Sequence, residues 1–272
     1  MDSTTYNVPT KQLFTLQERT ILVTGGLGGV GSPVIYSILE SGGDVICLDL
    51  SPDPKDLDRF HAIASNHGAQ FFYYSLNVTD EHQVSKVIDE AISKLRHPLR
   101  GVVTAAGTSG KIDAVDYPAD AFRKLLDVNV MGTFLVVQAA VRVMQRQKVG
   151  GSVVLIASMS GSVANKGVNT SAYNSSKSAI LQLARSLAME WGNSPNHPPI
   201  RVNSLSPGYI YTRLSEVDTS NEATRKLWTE GNMLGRISHA EEYRAPILFL
   251  LGDGSSFMTG ADLRVDGGHC AW

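Results

Sequence analysis

Residues 20–31 read TILVTGGLGGVG. An apolar run from Thr20 to Thr24 passes directly into Gly25, Gly26, Gly28, Gly29 and Gly31, and an amphipathic stretch follows over residues 30–42. A buried strand, a tight glycine turn and a helix, in that order, let backbone N–H groups approach a pyrophosphate at the positive end of the helix. Pro33 fits the first helical turn, where a missing N–H costs nothing. No Gly-Lys-Ser or Gly-Lys-Thr follows the loop, which speaks against a nucleoside triphosphate site. The segment predicts the opening of a dinucleotide-binding unit.

The same alternation runs on to the C-terminus. Further strands are predicted at Asp44–Leu48, Gln70–Ser75, Gly101–Ala105, Ser152–Ala157, Ile200–Leu205 and Asp262–Val265, most of them continuous apolar runs of the kind covered on both faces. Helices are predicted near 54–67, 80–96, 118–147, 171–192 and 239–251. The expectation is a single α/β domain over residues 1–272, a Rossmann-like doubly wound parallel sheet of about seven strands with helices on both faces. Residues 1–15 read as a polar, loosely ordered extension. Residues 209–238 carry Tyr209, Tyr211, Trp228 and Met233 but no clear strand, and read either as a lid over a site or as a plain surface helix pair.

Composition narrows the function classes. The 272 residues include 24 basic and 26 acidic side chains, a net charge of −2, which excludes a polybasic nucleic-acid binder. At 43% apolar residues the chain can bury a large core. The first twenty residues show no basic and then apolar leader pattern, and Val130–Val141, interrupted by Gln138, is too short to span a bilayer. A cytoplasmic protein with neither membrane nor nucleic-acid partner is expected. Cys47 and Cys270 lie far apart, and the seven histidines form no HExxH or similar ligand set, so no metal is expected.

Three further features carry chemistry. Asp49 ends the second strand 18 residues beyond Gly31, where a carboxylate accepts hydrogen bonds from an adenosine ribose and repels a 2′-phosphate. This favours NAD, with NADP left open by Lys55 and Arg59 nearby. The plainer reading of Asp49 is that it opens the turn Ser51-Pro52-Asp53-Pro54. Tyr173 and Lys177 stand four apart, on one face of a predicted helix whose buried stripe continues through Ile180, Ala184, Leu187 and Trp191. Lysine on a buried face needs a partner, and an adjacent ammonium lowers a phenol toward the range of acid/base catalysis. Ser158 ends a strand fifteen residues before Tyr173.

Together these residues resemble the short-chain dehydrogenase/reductase family, over about residues 18–268. Residues 24–31, TGGLGGVG, match its TGxxxGxG loop; Asn129 matches its helical asparagine, Ser158 its serine, and Tyr173 with Lys177 its YxxxK pair. Pro207-Gly208 with Thr212 matches the segment that embraces the nicotinamide, and Val265-Asp266-Gly267-Gly268 the closing motif. The resemblance implies cofactor contacts from Gly25, Leu27, Gly28, Gly29, Val30, Gly31, Asp49, Leu50, Asn77, Val78, Ala105, Ala106, Gly107, Asn129, Tyr173, Lys177, Pro207, Gly208, Ile210 and Thr212. Two departures touch the adenine side: Thr104-Ala105-Ala106-Gly107 replaces Asn-Asn-Ala-Gly, and Asn77 replaces an aspartate. Ser160 rivals Ser158, which is preferred because it precedes Gly161 by three.

By this resemblance Tyr173 exchanges a proton with a substrate oxygen, Ser158 hydrogen-bonds that oxygen, Lys177 holds the nicotinamide ribose and Asn129 completes a proton relay. The function expected is NAD(P)-dependent interconversion of a secondary alcohol and a ketone. The rivals are non-redox chemistry on the same scaffold (dehydration, epimerisation or cyclisation) and a non-catalytic dinucleotide-binding protein. The small-molecule substrate is either a polyol or ketose, as in similar fungal members, or a secondary metabolite. A homotetramer or homodimer is implied, built on the helices near 118–147 and 171–192. Val136, Val137, Ala140 and Val141 extend beyond one apolar stripe there.

Overall fold

Strands fully buried on both faces define the centre of this protein. In β1 (Thr20–Thr24) every residue is buried, and β2 (Asp44–Asp49), β4 (Leu99–Thr104), β5 (Gly151–Ile156) and β6 (Ile200–Pro207) are nearly so. A computed structural model describes residues 8–55 and 57–272, apart from the side chains at positions 213, 217 and 218. With β3 (Phe71–Ser75) and a C-terminal β9 (Asp262–Val265), these strands make one seven-stranded parallel sheet of order β3-β2-β1-β4-β5-β6-β9. The order reverses between β1 and β4, and ligands of doubly wound sheets bind at that switch, beyond the carboxyl ends of the strands.

Helices cover both faces. On one lie α1 (Gly31–Glu40), α2 (Asp58–Asn66) and α9 (Arg244–Leu251), burying Val34, Ile35, Phe60, Ile247 and Leu250. On the other lie α3 (Glu81–Ile92), α5 (Thr133–Arg146) and α6 (Ser171–Gly192), burying Val84, Ile88, Val136, Val137, Ala140, Ile180 and Ala184. The predicted doubly wound Rossmann-like class is the observed one.

The predicted boundaries differ where local chemistry intervenes. The helix expected from 54 begins at Asp58, with Leu57 as its N-cap. The helix expected over 118–147 is α4 (Ala119–Leu126) and α5 joined by a π-helical turn, Asp127–Gly132, where the chain packs closely on Val78. The run Ala119–Arg146 is the one described helix long and apolar enough to cross a membrane, and half of it is buried inside this fold. The stretch near 239–251 splits into a 3-10 turn, Ala240–Tyr243, and α9, whose Pro246 sits in the first turn.

Residues 209–238, predicted without a clear strand, contain two very short ones. They are β7 (Ile210–Tyr211) and β8 (Ser238–His239), paired in parallel, with α7 (Glu216–Ser220) and α8 (Glu222–Glu230) between them. Residues 1–7 of the expected extension lie outside the described residues. Thr10–Phe14 forms a 3-10 turn, not a loose strand of chain: Leu13 lies against Gly252, and the Leu16 N–H donates to Ser41 O at 2.9 Å.

Candidate active site

At the carboxyl end of β1, Gly25 has φ +62°, and a Cβ there would stand 2.6 Å from the backbone nitrogen of Ala106. Only glycine lets this turn close against the strand-four loop. Among the described residues the N–H groups of Gly29, Val30 and Gly31 reach no backbone carbonyl in the turn, and they stand at the start of α1. The carboxylate of Asp49, at the end of β2, accepts from Leu27 N at 3.0 Å and Leu50 N at 2.8 Å. It is thereby held beside the glycine turn with one anionic group oriented and a free arc of lone pairs. Tyr73 braces this strand end by donating to Ser51 O. A glycine cradle with open N–H groups and a fixed carboxylate beside it fits a dinucleotide.

The departures settle into local roles. Asn77 is exposed, and its side-chain oxygen accepts from Thr79 N at 3.1 Å and Thr79 Oγ1 at 2.9 Å, closing the turn before α3. Val78 is partly buried against Gly132. Ala105 and Ala106 lie along Gly25, Gly107 is exposed beside Asn129, and Leu50 is exposed at the end of β2. Thr212 lies against Gly29, so the segment after β6 closes over the glycine turn.

Ser158, Tyr173 and Lys177 meet in one cleft beyond the ends of β4, β5 and β6. Pro207, Gly208, Ile210 and Thr212 also line it. Ser158 follows β5 with its hydroxyl within hydrogen-bonding reach of the Tyr173 phenol, while accepting from Ser160 N at 3.2 Å. Ser160 lines the same cleft. Tyr173 and Lys177 project from the first turns of α6, and the Lys177 ammonium lies 5.7 Å from the Tyr173 ring centre. The far wall is aromatic: Tyr209 stacks on Trp228 with ring centres 4.1 Å apart and planes 6° apart, and Lys111 Nζ stands 5.5 Å over the Trp228 ring.

One electrostatic expectation changes. The Lys177 ammonium was expected to lower the Tyr173 phenol. In the structure burial raises that phenol, and the Ser158 hydrogen bond only offsets part of the rise. Lys177 instead donates to Ile156 O at 2.7 Å, and its own burial pushes its ammonium down to about 8. Asn129, expected in a proton relay, uses its side-chain amide to bind neighbouring segments. Nδ2 donates to Thr108 O at 2.9 Å and Ser176 Oγ at 3.0 Å, and Oδ1 accepts from Thr108 N at 2.9 Å. Ser176 and Thr108 were missed by sequence reasoning. Ser176 had a signal, since it stands three residues from Tyr173 on the same helix.

A family model described as Enoyl-(Acyl carrier protein) reductase matches residues 26–269. A short-chain dehydrogenase/reductase of Aspergillus versicolor, notP′, is 54% identical over 96% of this chain and 90% of its own. This chain belongs to the short-chain dehydrogenase/reductase family. Sorbose reductase sou1 of Schizosaccharomyces pombe is 34% identical over 95% of this chain and 98% of its own. The crystal structure of the NADPH-dependent 3-quinuclidinone reductase of Rhodotorula rubra superimposes with a TM-score of 0.87 at 31% identity, covering 97% of each chain. The protein is an NAD(P)-dependent oxidoreductase of this family acting on a small molecule.

Proposed function

We propose that the protein interconverts a secondary alcohol and a ketone with Tyr173 as the acid/base. The observation that carries this is the convergence of Ser158, Tyr173 and Lys177 in a cleft bounded by the glycine turn and Thr212. A bound nicotinamide supplies or accepts the hydride. Tyr173 gives its phenolic proton to the carbonyl oxygen in reduction and takes it back in oxidation. Ser158 donates to the same oxygen and stabilises the charge that develops on it. Lys177, which lines the same cleft, would hold the nicotinamide ribose, and Asn129 would complete the proton relay. The substrate class is a polyol or ketose, as the sorbose reductase relative suggests, or a cyclic secondary metabolite, for which the Tyr209–Trp228 wall speaks.

NAD is the proposed preference. Asp49 presents a fixed carboxylate, and the Arg59 guanidinium lies 4.8 Å over the Phe60 ring, drawn onto α2 instead of toward a 2′-phosphate. The protein is further proposed to be a homo-oligomer, since Met189 on α6 is 76% exposed and Phe257 wholly so, and to be cytoplasmic. A single monomeric boundary at micromolar concentration in sedimentation would remove the oligomer.

The decisive assay follows reduced-nicotinamide absorbance with polyols, ketoses and cyclic ketones, using both dinucleotides. Turnover with at least one is expected, with NAD giving the higher kcat/KM. Asp49→Ala should lower kcat/KM for NAD about tenfold while sparing NADP, because the repulsive carboxylate is gone. Dinucleotide binding without net change in reduced cofactor on any substrate would replace this reading with non-redox chemistry.

A further inference from the structure

Resting on the reading of Tyr173 as acid/base, we propose that Ser176 is a positioning residue for the reaction. Through Asn129 and Thr108 it fastens the first turn of α6 to the cleft wall, and so sets where the Tyr173 phenol and the Lys177 ammonium stand.

Ser176 is completely buried, and its hydroxyl serves two partners at once. It donates to the backbone carbonyl of Tyr173 at 2.7 Å and accepts from Asn129 Nδ2 at 3.0 Å. The other Asn129 hydrogen goes to Thr108 O at 2.9 Å, and its Oδ1 takes Thr108 N at 2.9 Å. The amide thus grips both backbone groups of one cleft-lining residue and hangs that residue on Ser176. Three segments distant in sequence are joined: the loop after β4, the π turn, and the first turn of α6. The π turn matters because it carries Asn129, itself buried, and the Thr133 hydroxyl bonds Asn129 O at 2.8 Å.

The site needs a group that donates and accepts together. Alanine does neither, and would leave a buried Asn129 hydrogen without a partner. A serine hydroxyl bonded to the carbonyl three residues earlier also sets the pitch of that helical turn. Tyr173 and Lys177 leave the helix from this turn, and Gly107, next to Thr108, is the residue whose Cβ position lies 3.4 Å from Asn129 Oδ1 and 4.0 Å from Lys177 Nζ. Loosening Ser176 therefore moves the wall and the acid/base pair against each other, while the glycine turn and Asp49 stay in place.

Two readouts test this. In turnover, Ser176→Ala should lower kcat about tenfold with dinucleotide Kd unchanged. Ser176→Thr, which keeps a hydroxyl able to reach the same carbonyl, should recover most of the loss. The double variant Ser176→Ala/Asn129→Ala should be no slower than Asn129→Ala alone, since the two act as one unit. The second readout needs no substrate: ultraviolet titration of the Tyr173 phenolate, assigned by difference from Tyr173→Phe. Lys177 is the titratable neighbour and Ser158 the polar one. Water admitted by Ser176→Ala should bring the Tyr173 titration down by about half a pH unit or more. An unmoved titration overturns the proposal, as do additive losses in the double variant or a kcat loss matched by the folded fraction. A wild-type protein that turns over nothing, yet shows the titration shift, discards the alcohol–ketone reading and keeps the clamp.

Discussion

Tyr173→Phe is expected to lower kcat by about 10³-fold while leaving dinucleotide affinity within twofold of wild type. The substitution removes one hydroxyl, the atom that faces Ser158, and leaves the ring beside Lys177 unchanged. The wild-type pH profile should be asymmetric. Burial raises the Tyr173 phenol above its ordinary 10.0, so the proton needed for ketone reduction stays in place across the neutral range. Reduction should be flat with pH there, whereas oxidation, which needs the phenolate, should climb through the alkaline range. Steady-state rates in both directions, with a fluorescence titration of the cofactor, check this. Retention of a tenth or more of wild-type kcat by Tyr173→Phe would remove the acid/base assignment.

Lys177→Met should abolish most activity yet make the cofactor-free protein more stable at pH 7. Burial holds the Lys177 ammonium at about 8 against its ordinary 10.5, a difference worth about 3 kcal/mol of unfavourable burial. Loss of the bond to Ile156 O takes back about 1 kcal/mol. The net gain of about 2 kcal/mol corresponds to about 5 °C in Tm. Between pH 8 and 10.5 the unfolded chain binds the Lys177 proton and the folded one has lost it, so wild-type stability rises with pH through that window. The advantage of the methionine variant should therefore be full below pH 8, and above 10.5 it should reverse to a deficit of about 1 kcal/mol from the lost bond. Calorimetry of both proteins at several pH values decides it, and equal Tm values at pH 7 would show that the buried charge is compensated.

That strain has a functional logic. An amine kept dry in the cleft costs stability in the empty protein and acts on a ligand with little screening by solvent. The same packing raises the Tyr173 phenol, so the pair is poised by desolvation and not by mutual attraction alone. Ser158 moderates the phenol, and Ser176 with Asn129 holds the geometry in which that moderation works.

Much of this protein was legible along the chain, because the deciding signals are local. Continuous apolar runs gave away strands covered on both faces, and the glycines after Thr24 gave away the turn before α1. The four-residue spacing of Tyr173 and Lys177 put both on one helical face whatever the surroundings. The boundaries that slipped did so where neighbours in space intervened: the π turn at Asp127–Gly132 forms where the chain presses on Val78, and β7 and β8 exist only because residues 28 apart in sequence pair across the segment. Charge and commitment were settled by tertiary structure alone. No pattern in the sequence told that the Lys177 ammonium would donate a hydrogen bond to Ile156 O, that burial would raise the Tyr173 phenol, or that the Asn129 amide would bond Thr108 and Ser176. Desolvation and hydrogen-bond saturation depend on which distant segments pack together, and only the folded chain brings the ends of β4 and β5, the π turn and the start of α6 to one point.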